Sequence, residues 1–352
     1  MEILKRNKEK GGFMENNDFL EFNKRFQGLL KVAERPLGQE KITENYCGFP
    51  IEHDYPALTP RLWNSVYKKF NCPTRAVMLV GDTTQVKEIL SFLKKDEKFQ
   101  GGGLGVGFKD EAIKQKALDR LEPLAEVIGA ANVVVKKDGE LIGYNTDGFG
   151  YVLSLEEKMA ELKKDLAKAN ILILGAGGTA SAIAFTLAGK VKKIIILNRT
   201  LDKAEGLYQR LSSYVEKLPK SCGTIIEFGG ENEISKVAKQ SDIILNTTLK
   251  GATGKFEKFV ALSETSSESE NLKMNEEILR SVKQDTLISD VNLTDGDPVT
   301  IALAKKFGLP TLDGRPMVLY QAIEAFSLVN SLWLKEKGLT KNDVKRTMLQ
   351  II

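Results

Sequence analysis

Residues 171–188 read ILILGAGGTASAIAFTLA. Ile171 to Leu174 form a short apolar run that suits a buried strand. Gly175, Gly177 and Gly178 follow at once, and a stretch of small and apolar residues comes after them. Strand, glycine turn and helix in that order are the context that a dinucleotide fingerprint requires. Gly175 allows the tight turn, and Gly177 lets a pyrophosphate approach the backbone. Ala180 and Ala182 let helix pack closely on strand. The free N–H groups and positive dipole end of the helix then face the phosphates. The expected cofactor contacts are Gly175, Ala176, Gly177, Gly178 and Thr179. The bland alternative is a tight βα turn with no ligand.

The next strand, IIIL at 194–197, ends in Asn198-Arg199-Thr200. A carboxylate about 20 residues past the loop would bind a ribose 2′-hydroxyl. Here the position holds Asn198 and then Arg199. A guanidinium grips a 2′-phosphate in a forked geometry, where a carboxylate would repel it. Lys203, one helical turn on, adds a second positive charge. This turn predicts NADP over NAD, with a solvated basic turn as the alternative.

Outward from this loop, strands are expected at 242–245 and 287–291, and helices at 179–189, 202–217 and 232–239. Such alternation implies an α/β fold of Rossmann type, a doubly wound parallel sheet covered on both faces. The polar run SETSSESEN at 263–271 reads as a solvated surface insertion. A strand at about 309–312 precedes helices at 316–335 and 341–351.

The first half is less regular. Residues 1–15 read as a frayed extension and 18–33 as a short amphipathic helix. YCGFPI at 46–51 reads as strand and turn, a helix follows Pro60, and RAVMLV at 75–80 is a buried strand. A helix over 83–95 begins at Thr83 or Thr84. GGGLGVGF at 101–108 reads as a loop that closely approaches something, or as a flexible one. A helix at 109–121 follows. NVVVK at 132–136 and the strand 140–144 flank Asp138-Gly139, a strong hairpin signal. Residues 149–168 read as a helix connecting two domains.

A chain of 352 residues suggests two domains. No apolar run reaches the roughly 18 residues needed to span a bilayer, and no apolar h-region follows the N-terminal charges. Three scattered cysteines give no disulfide framework and fit a reducing compartment, hence a cytoplasmic location. One histidine and no cysteine cluster argue against a structural zinc. A net charge of +4, with no basic stripe among aromatics, gives no argument for nucleic acid.

Several segments in order carry a resemblance: EPLAEVIGAANVVVKKDGELIGYNTDGFG at 122–150, then GAGGTASA, NRT, DIILNTT, and DGRPMVLYQAIEAF at 313–326. Together they resemble the shikimate and quinate dehydrogenase family, over about residues 46–335. The resemblance implies an N-terminal α/β substrate-binding domain over 46–148, behind an extension over 1–45. It further implies a connecting helix at 149–168, an NADP-binding Rossmann domain at 169–314, and C-terminal helices at 315–352 that return to the first domain. It implies oxidation or reduction of a ring hydroxyl or ketone through a Lys–Asp pair, here Lys109 in GFKDEAI and Asp147 in YNTDG. Loss of hydride from an alcohol carbon requires that the hydroxyl proton leave too, and a lysine can exchange it. Read without the resemblance, Lys109 begins an exposed helix and Asp147 caps one. Asn132 in GAANV and Gln321 in YQAIEAF match substrate-binding amides, which can both donate to and accept from a polyol. Thr200 in NRT, with Asn246 and Thr247 in DIILNTT, completes the implied cofactor contacts.

The N-terminal pocket departs from the family pattern GNPVSHSLSP, whose two serines bind the substrate carboxylate. This chain has Gly48-Phe49-Pro50-Ile51-Glu52-His53, an apparent insertion, then Ala57-Leu58-Thr59-Pro60. Thr59 can replace the second serine, but Ala57 carries no hydroxyl. The asparagine, threonine and proline of the family's NVTIPHK align with Gly103, Gly105 and Gly107. Its substrate-contacting tyrosine aligns with Leu293. Each lost bond to a charged group typically costs about 1.5–3 kcal/mol. Arg61, His53 and Tyr55 lie in the altered segment, and Arg61 is the best replacement by charge and geometry.

The expectation is thus an NADP-dependent dehydrogenase of shikimate, quinate or a related cyclic hydroxy acid, a monomer or homodimer without nucleic-acid or membrane partners. The alternative is a protein of the same fold that binds NADP and a metabolite without turnover.

Overall fold

The computed structural model describes residues 24–33, 45–54, 57–219, 223–264 and 267–351. The chain divides into two compact units. One runs to Thr146 and resumes at Ala322; the other is Asp147–Gln321.

The first unit is built on a mixed seven-stranded sheet in the order β1-β3-β2-β4-β6-β7-β5. These strands are β1 (Leu30–Val32), β2 (Asn45–Ile51), β3 (Thr74–Gly81), β4 (Phe99–Gly103), β5 (Arg120–Leu121), β6 (Val133–Lys137) and β7 (Glu140–Tyr144). β6 and β7 form the expected hairpin. Asp138 and Gly139, at φ 52° and 77°, take the left-handed turn that Asp-Gly favours. The helix Leu58–Lys69 buries Leu62, Trp63, Val66 and Tyr67. Its Trp63 Nε1 donates to Ala322 O at 3.1 Å, and the Tyr67 hydroxyl donates to Asn330 Oδ1 at 2.9 Å. With Trp63 and Phe326 packed edge to face at 5.3 Å, these contacts fasten the C-terminal segment onto this unit.

The second unit is a parallel six-stranded sheet in the order β10-β9-β8-β11-β12-β13. Its strands are β8 (Asn170–Leu174), β9 (Lys193–Asn198), β10 (Ile225–Gly230), β11 (Ile243–Asn246), β12 (Leu287–Asp290) and β13 (Thr311–Leu312). The chain builds outward from β8 to β10, then crosses back to lay β11 on the other flank of β8. That reversal is the topological switch point where sheets of this class bind ligands.

Several local expectations need correction. The helix read over 18–33 does not persist through its described part. Gln27 and Gly28 take positive φ, and Leu30–Val32 becomes an edge strand antiparallel to β3; residues 18–23 lie outside the described residues. The helix over 83–95 begins instead with a 3₁₀ turn capped by Asp82, whose carboxylate accepts from Thr84 N. Gly101–Gly103 are not a loop but the end of β4. They do approach closely: a Cβ at Gly102 would collide with Gly48 O, and one at Gly103 would lie 2.6 Å from the Phe49 ring. The helix expected at 109–121 stops at Lys114, and the chain turns through Lys116 at φ 51° into β5.

The helix expected at 149–168 spans Asp147–Glu161, followed by a 3₁₀ turn. The run 263–271 is not simply a solvated insertion. Ser267 caps a helix, Glu268–Ser281, while Ser263 and Asn271 are buried. The final long helix breaks at Asn330 into Arg315–Val329 and Ser331–Lys337, bent by 81°. The edge strand β10 escaped sequence reading because its outer residues, Ile225 among them, stay exposed.

Candidate functional site

In the parallel unit, four loop-bearing positions meet at the C-terminal edge of the sheet. Leu174 pairs with Leu197 and with Asn246, and Asn246 pairs with Asp290. The turn after β8, the Asn198 turn after β9 and the loops after β11 and β12 therefore share one rim. Gly175 sits at φ 111°, and a Cβ there would lie 2.6 Å from Thr247 Oγ1. Thr247 is locked to the same turn, since its N–H and its hydroxyl both donate to Leu174 O at 3.0 and 2.7 Å.

Gly177 is exposed, and nothing lies within 4 Å of where its Cβ would be. It caps the helix Gly178–Leu187, whose first main-chain bond runs from Ser181 N to Gly177 O at 2.9 Å. The N–H groups of Gly178, Thr179 and Ala180 precede that bond and have no partner within the helix. Ala176 and Thr179 are half-buried beside this opening.

At the end of β9, Asn198 Nδ2 donates to Thr200 O at 2.8 Å and shapes the basic turn. Arg199, Thr200 and Lys203 are exposed. Among the described residues, Arg199 and Lys203 take part in no ion pair. An open glycine turn at a helix start, flanked by two unpaired cations, fits a dinucleotide carrying an extra phosphate.

Asn246 is placed differently from its neighbours. It is buried, and its amide is fully engaged within the protein. Nδ2 donates to Lys250 O and to Asp290 Oδ2 at 2.8 and 2.9 Å, while Oδ1 accepts from Thr248 N and Thr248 Oγ1 at 2.9 and 2.7 Å. Asp290, which sequence reasoning passed over, is wholly buried. Burial pushes its carboxyl up to about 6 against the opposing pull of Asn246, Asn292 and Thr300, which donate to it.

Asp147 begins the helix Asp147–Glu161 and is buried. A Cβ at Gly148 would collide with Ala182 O and Thr186 Oγ1, so this helix lies directly on Gly178–Leu187. Gly150 does the same toward the helix Arg315–Val329, where a Cβ would lie 2.7 Å from Gln321 N. The motif DGFG thus sets Gln321 beside the first turn of Asp147's helix.

In the other unit, Lys109 is the second residue of the helix Phe108–Lys114 and is half-buried. Its carbonyl accepts from Ala131 N at 3.3 Å, which ties it to the segment bearing Asn132. Asn132 is buried and bonded to Thr146. Its Oδ1 accepts from Thr146 N at 2.8 Å, and its Nδ2 donates to Thr146 Oγ1 at 3.1 Å. Thr59 is half-buried in the first turn of Leu58–Lys69, and the capping residue Ala57 provides no side-chain bond. Arg61 and His53 are exposed.

Two family models match the chain: a shikimate dehydrogenase substrate-binding domain over residues 46–134, and shikimate / quinate 5-dehydrogenase over 157–253. The shikimate dehydrogenase (NADP(+)) of Methanococcus vannielii is 30% identical, covering 83% of this chain and 92% of its own length. The chain belongs to the shikimate dehydrogenase family. The shikimate dehydrogenase (NADP(+)) of Methanocaldococcus jannaschii is 32% identical, over 80% of this chain and 88% of that protein. A solved shikimate dehydrogenase in complex with NADP+ superposes with a TM-score of 0.69 at 26% identity, covering 88% of this chain and 96% of that one. The expected α/β plan, a substrate-binding domain with a Rossmann-type parallel sheet, is that of the family.

Proposed function

We propose that this chain is an NADP-dependent oxidoreductase that interconverts a ring hydroxyl and ketone of shikimate, quinate or a related cyclic hydroxy acid. The observation that carries this reading is the open glycine turn at Gly177 with the unpaired cations Arg199 and Lys203 beside it. The N–H groups of Gly178, Thr179 and Ala180 would hold the pyrophosphate, and Arg199 and Lys203 the 2′-phosphate. NADP, when bound, supplies the nicotinamide that accepts or returns hydride.

The protein's own residues manage the proton and the ring. Lys109 Nζ takes the hydroxyl proton during oxidation and returns it during reduction. Asp147 is the acidic member of the proposed pair. Asn132 and Gln321 donate to and accept from ring hydroxyls, and Thr59 contributes a hydroxyl. The partner is a small molecule; we place the protein in the cytoplasm, as a monomer or homodimer, with no nucleic-acid or membrane partner.

The test is NADPH formation by purified protein over a panel of shikimate, quinate and related cyclic hydroxy acids. Turnover of at least one is expected. Tight NADP binding by calorimetry with no turnover across the panel would instead select a binding protein of the same fold.

A further inference from the structure

We propose that Asp290 and Asn246 are positioning residues for the cofactor, a buried clamp that holds the loop after β11 against the glycine turn. The inference rests on the reading of that turn as an NADP site. Asp290 and Asn246 are register partners at the ends of adjacent strands, and both are buried. Asp290 Oδ2 accepts from Asn246 Nδ2 at 2.9 Å, and Oδ1 accepts from Asn292 N at 2.9 Å. Asn292 then reaches across to the β11 loop, donating through Nδ2 to Thr248 O and Lys250 O at 3.0 and 3.1 Å.

The far end of the same loop is tied to the same carboxylate. The Thr300 hydroxyl bonds to Asp290 and accepts from Ala261 N at 3.3 Å. Beyond it, Asn271 pairs with the backbone of Val260, and Asn275 Oδ1 accepts from Leu262 N at 2.8 Å. Lys250 Nζ is held by Glu231 and by Ser263 O, at 3.2 and 2.7 Å. What this framework fixes is Thr247, next to Asn246, whose hydroxyl abuts Gly175. Asn246 thus serves the cofactor by aiming its neighbour, with its own amide wholly spent.

The donor directions make the clamp testable by reversal. Asp290→Asn places an amide N–H₂ where the carboxylate accepted either Asn246 Nδ2 or Asn292 N, so one bond becomes donor against donor. Adding Asn246→Asp restores the pair with its direction reversed. The carboxylate introduced at position 246 can accept from the amide introduced at position 290 and still accept from Thr248, but it can no longer donate to Lys250 O, so the rescue is partial. Asp290→Asn is expected to weaken NADP binding by roughly tenfold in calorimetry. It should also speed hydrogen exchange at residues 247–251 in the absence of NADP. Both changes should return part of the way toward wild type in the double variant.

Equal NADP affinity in Asp290→Asn and wild type would overturn the proposal. Should Asp290→Asn fail to fold, Thr248→Val removes the hydroxyl that donates to Asn246 and accepts from Lys250 N, and unchanged affinity and exchange there would overturn it equally. Wild-type protein that binds no NADP would fail the underlying reading instead, which is a separate result.

Discussion

The two units spend polar residues in different ways. In the parallel unit, the residues read as cofactor contacts fall into two groups. Arg199, Lys203 and Gly177 face outward and are open to a ligand, whereas Asn246 and Thr247 are bonded inward. In the mixed unit, the segments around Gly48 and Gly101–Gly103 are held by close backbone packing. Gly102 sits against Gly48 O, and Phe49 lies over Gly103 and edge-on to Trp63 at 5.0 Å. A nucleotide site can be made from main-chain N–H groups and two cations, so it tolerates change elsewhere. A site for a small polyol depends on individual hydroxyls and amides, and each loss is felt.

The sharpest test of that contrast is Lys109→Ala. It should lower kcat by about 10²–10⁴, the usual contribution of a positioned acid–base group, while leaving NADP affinity unchanged by calorimetry. Loss of both together would break the separation of roles. Next is Asp290, whose folded value of about 6 lies above the usual 3.8. The folded state therefore holds that proton more tightly than the unfolded chain does. Ionisation costs stability above about pH 6, and the cost is relieved as pH falls from there toward 3.8. Relative to Asp290→Asn, the wild type should gain on the order of a few kcal/mol between about pH 7 and pH 4, read from denaturant melts at matched pH. A difference that stays flat with pH would refute this.

Arg199→Ala should weaken NADP binding by roughly 10- to 100-fold and leave NAD binding nearly unaltered, measured side by side by calorimetry. The smallest expected effect belongs to the mixed unit. Ala57 caps the helix Leu58–Lys69 without a side-chain bond, and Pro60 has no N–H to offer. Ala57→Ser would supply an acceptor for Thr59 N and add about 0.5–1 kcal/mol of stability. Its melting temperature and its KM for shikimate should improve together if position 57 faces the acid. A gain in stability alone would mark it as a cap only.

Most of the parallel unit was legible because its strands are continuous apolar runs and its turn carries glycines in a fixed context. Ile171–Leu174, Ile194–Leu197 and Ile243–Leu245 all fall inside strands. The mixed unit hid more. Gly101–Gly103 carry no side chains, so an alternating pattern cannot show there, although the backbone pairs with β6. The parallel unit hid some features too: Ser263, Asn271 and Asn275 look solvated in one dimension, yet they are buried because their amides and hydroxyl satisfy one another and the backbone of 260–262. Asp290 gave no local signal at all. Its importance arises from strand register, which sets it opposite Asn246 across the sheet.

Gly150 bears on how such a protein could be re-tailored. Asp147 and Gln321 are far apart along the chain, and their relative placement depends on one residue having only a hydrogen where others carry carbon. Substitutions meant to vary the proposed substrate are therefore best tried at Ala57, Thr59 or Phe49, which lie in other elements of the chain. A change at position 150 would shift the helix carrying Gln321 against the helix that begins at Asp147.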